Sequence, residues 1–193
     1  MSRVCKIILV CEGWRDSAFA RGFLVEAGVG RRSIEPRTNP GGSGHDWVKT
    51  QFIAEVANLD RFSEGRGVLG LLDEDGQGVS TRQQQIADRL KANGLGSLAA
   101  NEGRCLLLPT RNLETWLYWL TGQKNGLFVA VDETTDYKQV GPPTAASPIG
   151  NEHCRPAGEW LHTLNHTHLP QGCPPMLRRA LGQLREFLKA VRR

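Results

Sequence analysis

Short apolar runs, each closed by a polar or acidic break, constrain this chain more than any other feature. Residues 4–11, 67–72 and 104–108 carry Ile7-Ile8-Leu9-Val10, Val68-Leu69-Gly70-Leu71-Leu72 and Cys105-Leu106-Leu107-Leu108. They are too short for ordinary helices and lack a 3.6-residue period, so they read as buried strands. Ser33 to Thr38 reads as a shorter strand. Between the strands the period changes. Ala18, Phe19, Phe23, Leu24 and Ala27 recur at helical spacing and stop at Gly28 and Gly30. Asp46 stands as an N-cap before Trp47, Val48, Phe52, Ile53, Val56, Ala57 and Leu59, after the loop Asn39-Pro40-Gly41-Gly42-Ser43-Gly44. Ser80 or Thr81 opens a polar helix whose inner stripe is Ile86, Leu90 and Leu95. Strands alternating with helices imply an α/β, Rossmann-like, mostly parallel sheet with helices on both faces.

The remainder is less regular. Asn112 caps a short helix over Leu113–Leu120, in which Trp116, Trp119 and Leu120 read as core. Residues 122–158, rich in Gly, Pro and Thr, read as a long excursion, and Leu177 to Val191 as an amphipathic basic helix. The expected division is a catalytic unit over 1–121 with an irregular or helical C-terminal extension over 122–193 packed on it. A length of 193 residues, 39% apolar and 23% charged, suits one domain with an appendage. No apolar run approaches the roughly 20 residues a membrane span needs, and Met1-Ser2-Arg3 leads straight into a strand pattern. The expectation is a soluble, cytoplasmic protein with no membrane partner. The 5 cysteines include no C-x-x-C pair and suit a reducing compartment. His153, Cys154, His162, His166, His168 and Cys173 cluster in sequence, but at intervals that fit no standard zinc finger. A net charge of +4 permits a nucleic-acid partner without arguing for one.

Two acidic clusters follow strands. Glu12-Gly13-Trp14-Arg15-Asp16 leaves the first, and Asp73-Glu74-Asp75-Gly76 leaves the third. Carboxylates gathered together repel one another and resist desolvation, and a hard cation such as Mg²⁺ is the usual compensation. In extended backbone Asp73 and Asp75 point the same way and Glu74 the other. Glu12 and Asp16 can face the same cleft from the neighbouring strand. Each cluster has a plainer reading. Asp16 suits a helix start with no metal at all, and Asp73 to Gly78 alone would make a solvated acidic turn. Arg111, just past a strand end, is a candidate phosphate-binding cation or an ordinary surface charge. The bare N–H groups of Gly42 and Gly44 suit a substrate phosphate or a simple connector.

The order strand, Glu-Gly-x-x-Asp, helix, later strand, Asp-x-Asp resembles the TOPRIM domain over roughly residues 4–110. Within that superfamily it is most similar to OLD-type (overcoming lysogenisation defect) nucleases and to small stand-alone TOPRIM-like proteins, with matches at Glu12, Asp16, Asp73, Glu74 and Asp75. The segment Leu108-Pro109-x-Arg111-Asn112-x-Glu114-Thr115-Trp116 also resembles such small proteins. The resemblance implies phosphodiester hydrolysis on DNA with Mg²⁺ or Mn²⁺, and two ions about 4 Å apart suit that chemistry. It gives Glu12 the role of metal ligand or general acid/base, makes Glu12, Asp16, Asp73, Glu74 and Asp75 candidate ligands, and makes Lys138 a candidate for the later catalytic lysine. OLD-type enzymes carry an ATPase domain, whereas no G-x-x-x-x-G-K-[ST] loop occurs in this sequence. A separately encoded ATPase partner, in antiphage defence, is therefore the expectation; a homo-oligomer is compatible with it. The alternatives are an RNA-processing TOPRIM endoribonuclease, a non-catalytic nucleic-acid-binding scaffold and, more weakly, a receiver-type domain.

Overall fold

The computed structural model describes residues 6–41, 44–59, 61, 65–74, 76–141, 143, 150–165 and 168–192. Its strands are β1 (Lys6–Cys11), β2 (Ile34–Thr38), β3 (Arg66–Leu71) and β4 (Arg104–Leu107). Its helices are α1 (Trp14–Glu26), α2 (His45–Leu59), α3 (Val79–Ala92), α4 (Leu113–Lys124), α5 (Asn151–Thr163) and α6 (Pro175–Val191). All strand pairs are parallel, in the order β2-β1-β3-β4. This is the Rossmann-like α/β arrangement expected from the alternation of elements. Pro36, which has no N–H to give a ladder, falls on the edge strand β2.

Side-chain alternation divides the core between the two faces of the sheet. Ile7, Leu9, Cys11, Leu69, Leu71, Cys105 and Leu107 face α1, α4, α5 and α6. Val10, Val68 and Leu106, with Leu72 and Leu108 just past their strands, face α2 and α3. After β1 the chain turns outward to β2 through α1; after β3 it turns the opposite way to β4 through α3. The topology therefore reverses between β1 and β3, and their carboxyl ends open onto the crevice where such sheets bind ligands.

Several boundaries differ from expectation for local reasons. The Val48 N–H bonds the Gly44 carbonyl at 2.9 Å, so α2 starts at His45 and Asp46 lies in its first turn instead of capping it. Helix α3 starts at Val79, just ahead of the expected Ser80 or Thr81. The largest difference is α5. It occupies the end of the stretch expected to be an excursion, and it carries Pro156 inside the helix. Its close fit to α1 explains its formation. A Cβ at Gly158 would run into the Phe19 carbonyl, and one at Gly22 into the Arg155 carbonyl. Two glycines let the helix backbones touch.

Helix α6 seals the same sheet face with Leu177, Leu181, Leu184, Phe187 and Val191. Its basic residues tie down the ends of neighbouring helices. Arg185 donates to the Leu164 carbonyl at 2.6 Å, and Arg192 donates to the Ala27 carbonyl. Among the described residues no helix is long and apolar enough to cross a membrane.

Candidate functional site

The carboxyl ends of β1 and β3 lie side by side, Cys11 opposite Leu71, so Glu12 and Asp73 leave the sheet as neighbours. Past Glu12 the chain turns at once into α1. Gly13 is the N-cap, and its N–H donates to Asp16 Oδ2 at 3.0 Å, which fixes Asp16 at the mouth of the helix. Asp73 is fixed from the other side, where Oδ1 accepts the Leu113 N–H, the first of α4, at 2.9 Å. The loop before α2 closes on Glu12. His45 Nδ1 stands 2.8 Å from Glu12 Oε1, and a Cβ at Gly44 would lie only 2.5 Å from Glu12 Oε2. Gly44 thus lets the loop backbone rest against the carboxylate.

A fourth acid completes the group. Glu114 is only 6% exposed, sits in the first turn of α4, and pairs with Arg15 at 2.6 Å. Burial, followed by the charges of Asp16, Glu12 and Glu114, holds the Asp73 carboxyl well above the usual carboxylate range, with Lys138 opposing. Asp16 is pushed up to about 7, first by burial and then by Glu12 and Glu114, against the Gly13 hydrogen bond and Arg15. The four acids therefore share one electrostatic site. Buried neighbouring acids with raised affinity for protons also have raised affinity for a cation that can replace those protons.

Lys138 reaches this group from far along the sequence. Its Nζ stands 4.0 Å from Asp73 Oδ2. The turn that presents it is built piece by piece: Asp136 accepts the Lys138 N–H at 3.0 Å and the Asn112 side-chain N–H at 2.8 Å, while Tyr137 packs on Tyr118 with ring centroids 4.6 Å apart. Asn112 also caps α4 through Thr115 N–H at 3.2 Å, so one residue links the helix start to the lysine turn.

Glu74, a candidate ligand by sequence, meets loop amides in the structure. It is 4% exposed, and its carboxylate accepts the Gly78 N–H and, at 3.0 Å, the Arg111 N–H. Burial alone would raise its pKa, but the N–H groups of Gly78, Arg111 and Gly76 hold it below the ordinary value. With both oxygens engaged by loop amides, Glu74 builds the rim and does not join the acidic group. Arg111 belongs to the same rim. It is the one non-glycine residue with positive φ (62°) among the described residues, and its guanidinium lies against Gly76. Asp75 and Gly42, expected as ligand and substrate contact, lie outside the described residues.

Sequence reasoning did not single out Glu114, Arg15 or His45 as site residues. A signal for Glu114 was present: one acid inside Leu113-Glu114-Thr115-Trp116-Leu117, a stretch that is otherwise core, must be paired. Nothing local marks Arg15 or His45. Among the described residues no three His, Cys, Asp or Glu side chains stand as a ready-made metal cage. The donor set itself, hard carboxylate oxygens in mutual repulsion, fits Mg²⁺ or Mn²⁺. Comparison with protein-family models, with curated proteins and with solved structures finds no match to this chain.

Proposed function

We propose that this chain is a Mg²⁺-dependent TOPRIM nuclease that hydrolyses DNA phosphodiester bonds. The observation that carries the reading is the coupling of Glu12, Asp16, Asp73 and Glu114 at the reversal point of the sheet, with Lys138 set 4.0 Å from Asp73. Repelling carboxylates at that place are costly unless something positive is bound between them. Glu12, Asp16 and Asp73, with Asp75, would hold the ions. Bound there, they would polarise the scissile phosphate and lower the pKa of an attacking water.

The remaining roles fall to the chain. Lys138 is placed to neutralise phosphate charge as the transition state forms. Glu12, with His45 at one oxygen, can act as ligand or exchange a proton. Arg15 holds Glu114 and so keeps the neighbouring helix starts together. The OLD-type resemblance suggests that the chain works with a separately encoded ATPase partner. Antiphage defence is the setting that the OLD-type resemblance suggests.

The test is cleavage of plasmid DNA and structured RNA in Mg²⁺, Mn²⁺ and EDTA by the natural chain and by Asp73→Asn. DNA cutting should require the metal and fall by roughly a hundredfold or more in the variant. Cutting of RNA alone would move the reading to RNA processing. If neither protein cuts and Mg²⁺ leaves thermal stability unchanged, the site is a scaffold and the nuclease reading fails.

A further inference from the structure

Trp14, Arg21 and Val25 are spaced so that they share one side of α1. With Arg31, from the turn before β2, and Arg155, from α5, they line a cavity of about 250 Å³. Its upper end, Trp14, lies within the Glu12–Asp16 turn. Two properties of this groove are independent of one another.

Trp14 is 70% exposed, although indole is among the side chains that gain most from burial. Three arginines line one cavity, and among the described residues no Asp or Glu lines it. Arg155 pairs with Glu159 at 2.7 Å, while Arg21 and Arg31 have no ion pair among the described residues. The Gly22–Gly158 approach of α1 and α5 holds Arg155 against this wall. The groove is thus part of the packed scaffold.

Planar cations beside an exposed aromatic ring match one ligand chemistry closely. Guanidinium groups take phosphates, and an indole face takes a base without regard to its identity. Bases within a duplex already stack on each other and offer no face to Trp14. We propose that this groove binds an unpaired stretch of a nucleic-acid strand, with Trp14 stacked on a base and Arg21, Arg31 and Arg155 on its phosphates. That this strand is then led to the acidic site rests on the nuclease reading; the binding itself does not.

The experiment is fluorescence anisotropy with labelled single-stranded DNA and RNA oligonucleotides and a blunt duplex of the same sequence, on the full chain in EDTA and over a range of salt. Single strands should bind more tightly than the duplex. Arg21→Glu with Arg31→Glu should weaken single-strand binding about tenfold or more, and lower the salt slope by about 0.7 for each phosphate that the variant no longer neutralises. Trp14→Ala should weaken it about tenfold and Trp14→Phe much less. All these side chains line an open cavity, and an unchanged melting temperature confirms that the variants fold. Affinity unmoved by the double charge reversal, equal binding of the duplex, or displacement by a polyglutamate peptide more readily than by unlabelled oligonucleotide would each overturn the proposal. Asp73→Asn separates the two readings. If the strand binds through the groove but natural protein never cuts, the nuclease reading alone fails; if cutting depends on Asp73 while single-strand binding ignores the groove variants, the groove alone fails.

Discussion

Asp16 is pulled in two directions, since the Gly13 N–H and the helix start favour its charge while burial and Glu12 oppose it. The opposition wins, and its pKa is raised from 3.8 to about 7. Well below pH 4 the acid is neutral in both folded and unfolded chains and costs nothing. As pH rises toward 7 the unfolded chain ionises first, so the metal-free protein should lose stability, by an amount on the order of 3 kcal/mol. Asp16→Asn keeps an acceptor for Gly13 and should flatten this fall, as should Mg²⁺ at pH 7. Urea unfolding midpoints from pH 4 to 8 check it; an Asp16→Asn curve parallel to that of the natural chain would sink the assignment. Glu12, Asp16 and Asp73 were legible in the sequence because they follow strand ends directly. Lys138 was legible only through resemblance, since its approach to Asp73 depends on the Asn112–Asp136 link between distant segments. The loop amides that meet Glu74 were not legible, because alternation gives a side chain's direction but not its partners.

At the scale of elements, the α1–α5 contact has a consequence that local propensity hides. Glycine costs about 1 kcal/mol in a helix interior relative to alanine, yet at Gly158 any Cβ would meet the Phe19 carbonyl, which is backbone and cannot rotate away. Gly158→Ala should therefore destabilise the protein by about 3 kcal/mol, at the upper end for overpacking. Gly182 in α6 has nothing within 4 Å of an added Cβ, so Gly182→Ala should be neutral or stabilising. Thermal melts of both variants decide the matter, and equal shifts would refute the close-packing argument. The same glycine, with Pro156, is why α5 was not legible: two residues that usually break helices stand inside one whose stability comes from its neighbour. Strands β1, β3 and β4 were legible because each is a buried apolar run, and the N-cap of α4 because Asn112 satisfies a helix-end N–H locally.

At the scale of the whole molecule, the alternation of elements carries the parallel sheet but is silent on what covers its faces. Composition places an excursion and a basic helix after residue 121, as an extension packed on a catalytic unit over 1–121. In the structure α5 and α6 contribute Cys154, Leu161, Leu177, Leu181, Phe187 and Val191 to the same core as β1, β3 and α1. Contact at the sheet is direct, because a Cβ at Gly67 of β3 would overlap Phe187 and Val191. Removing residues 122–193 would leave Leu9, Leu69, Leu107 and the two buried tryptophans of α4 facing water on one side of the sheet. Each large apolar side chain so exposed forfeits about 1.5–3 kcal/mol, and a handful of them is comparable to the roughly 5–15 kcal/mol by which domains of this size are stable. A 1–121 fragment should therefore show no cooperative urea transition and should bind a dye for exposed apolar surface. The full chain should unfold cooperatively and leave the dye unbound. The Asp73–Lys138 approach adds a second reason, since the lysine lies beyond the cut. A fragment that unfolds cooperatively and still cuts DNA at the rate of the full chain would refute both the single core and the role given to Lys138.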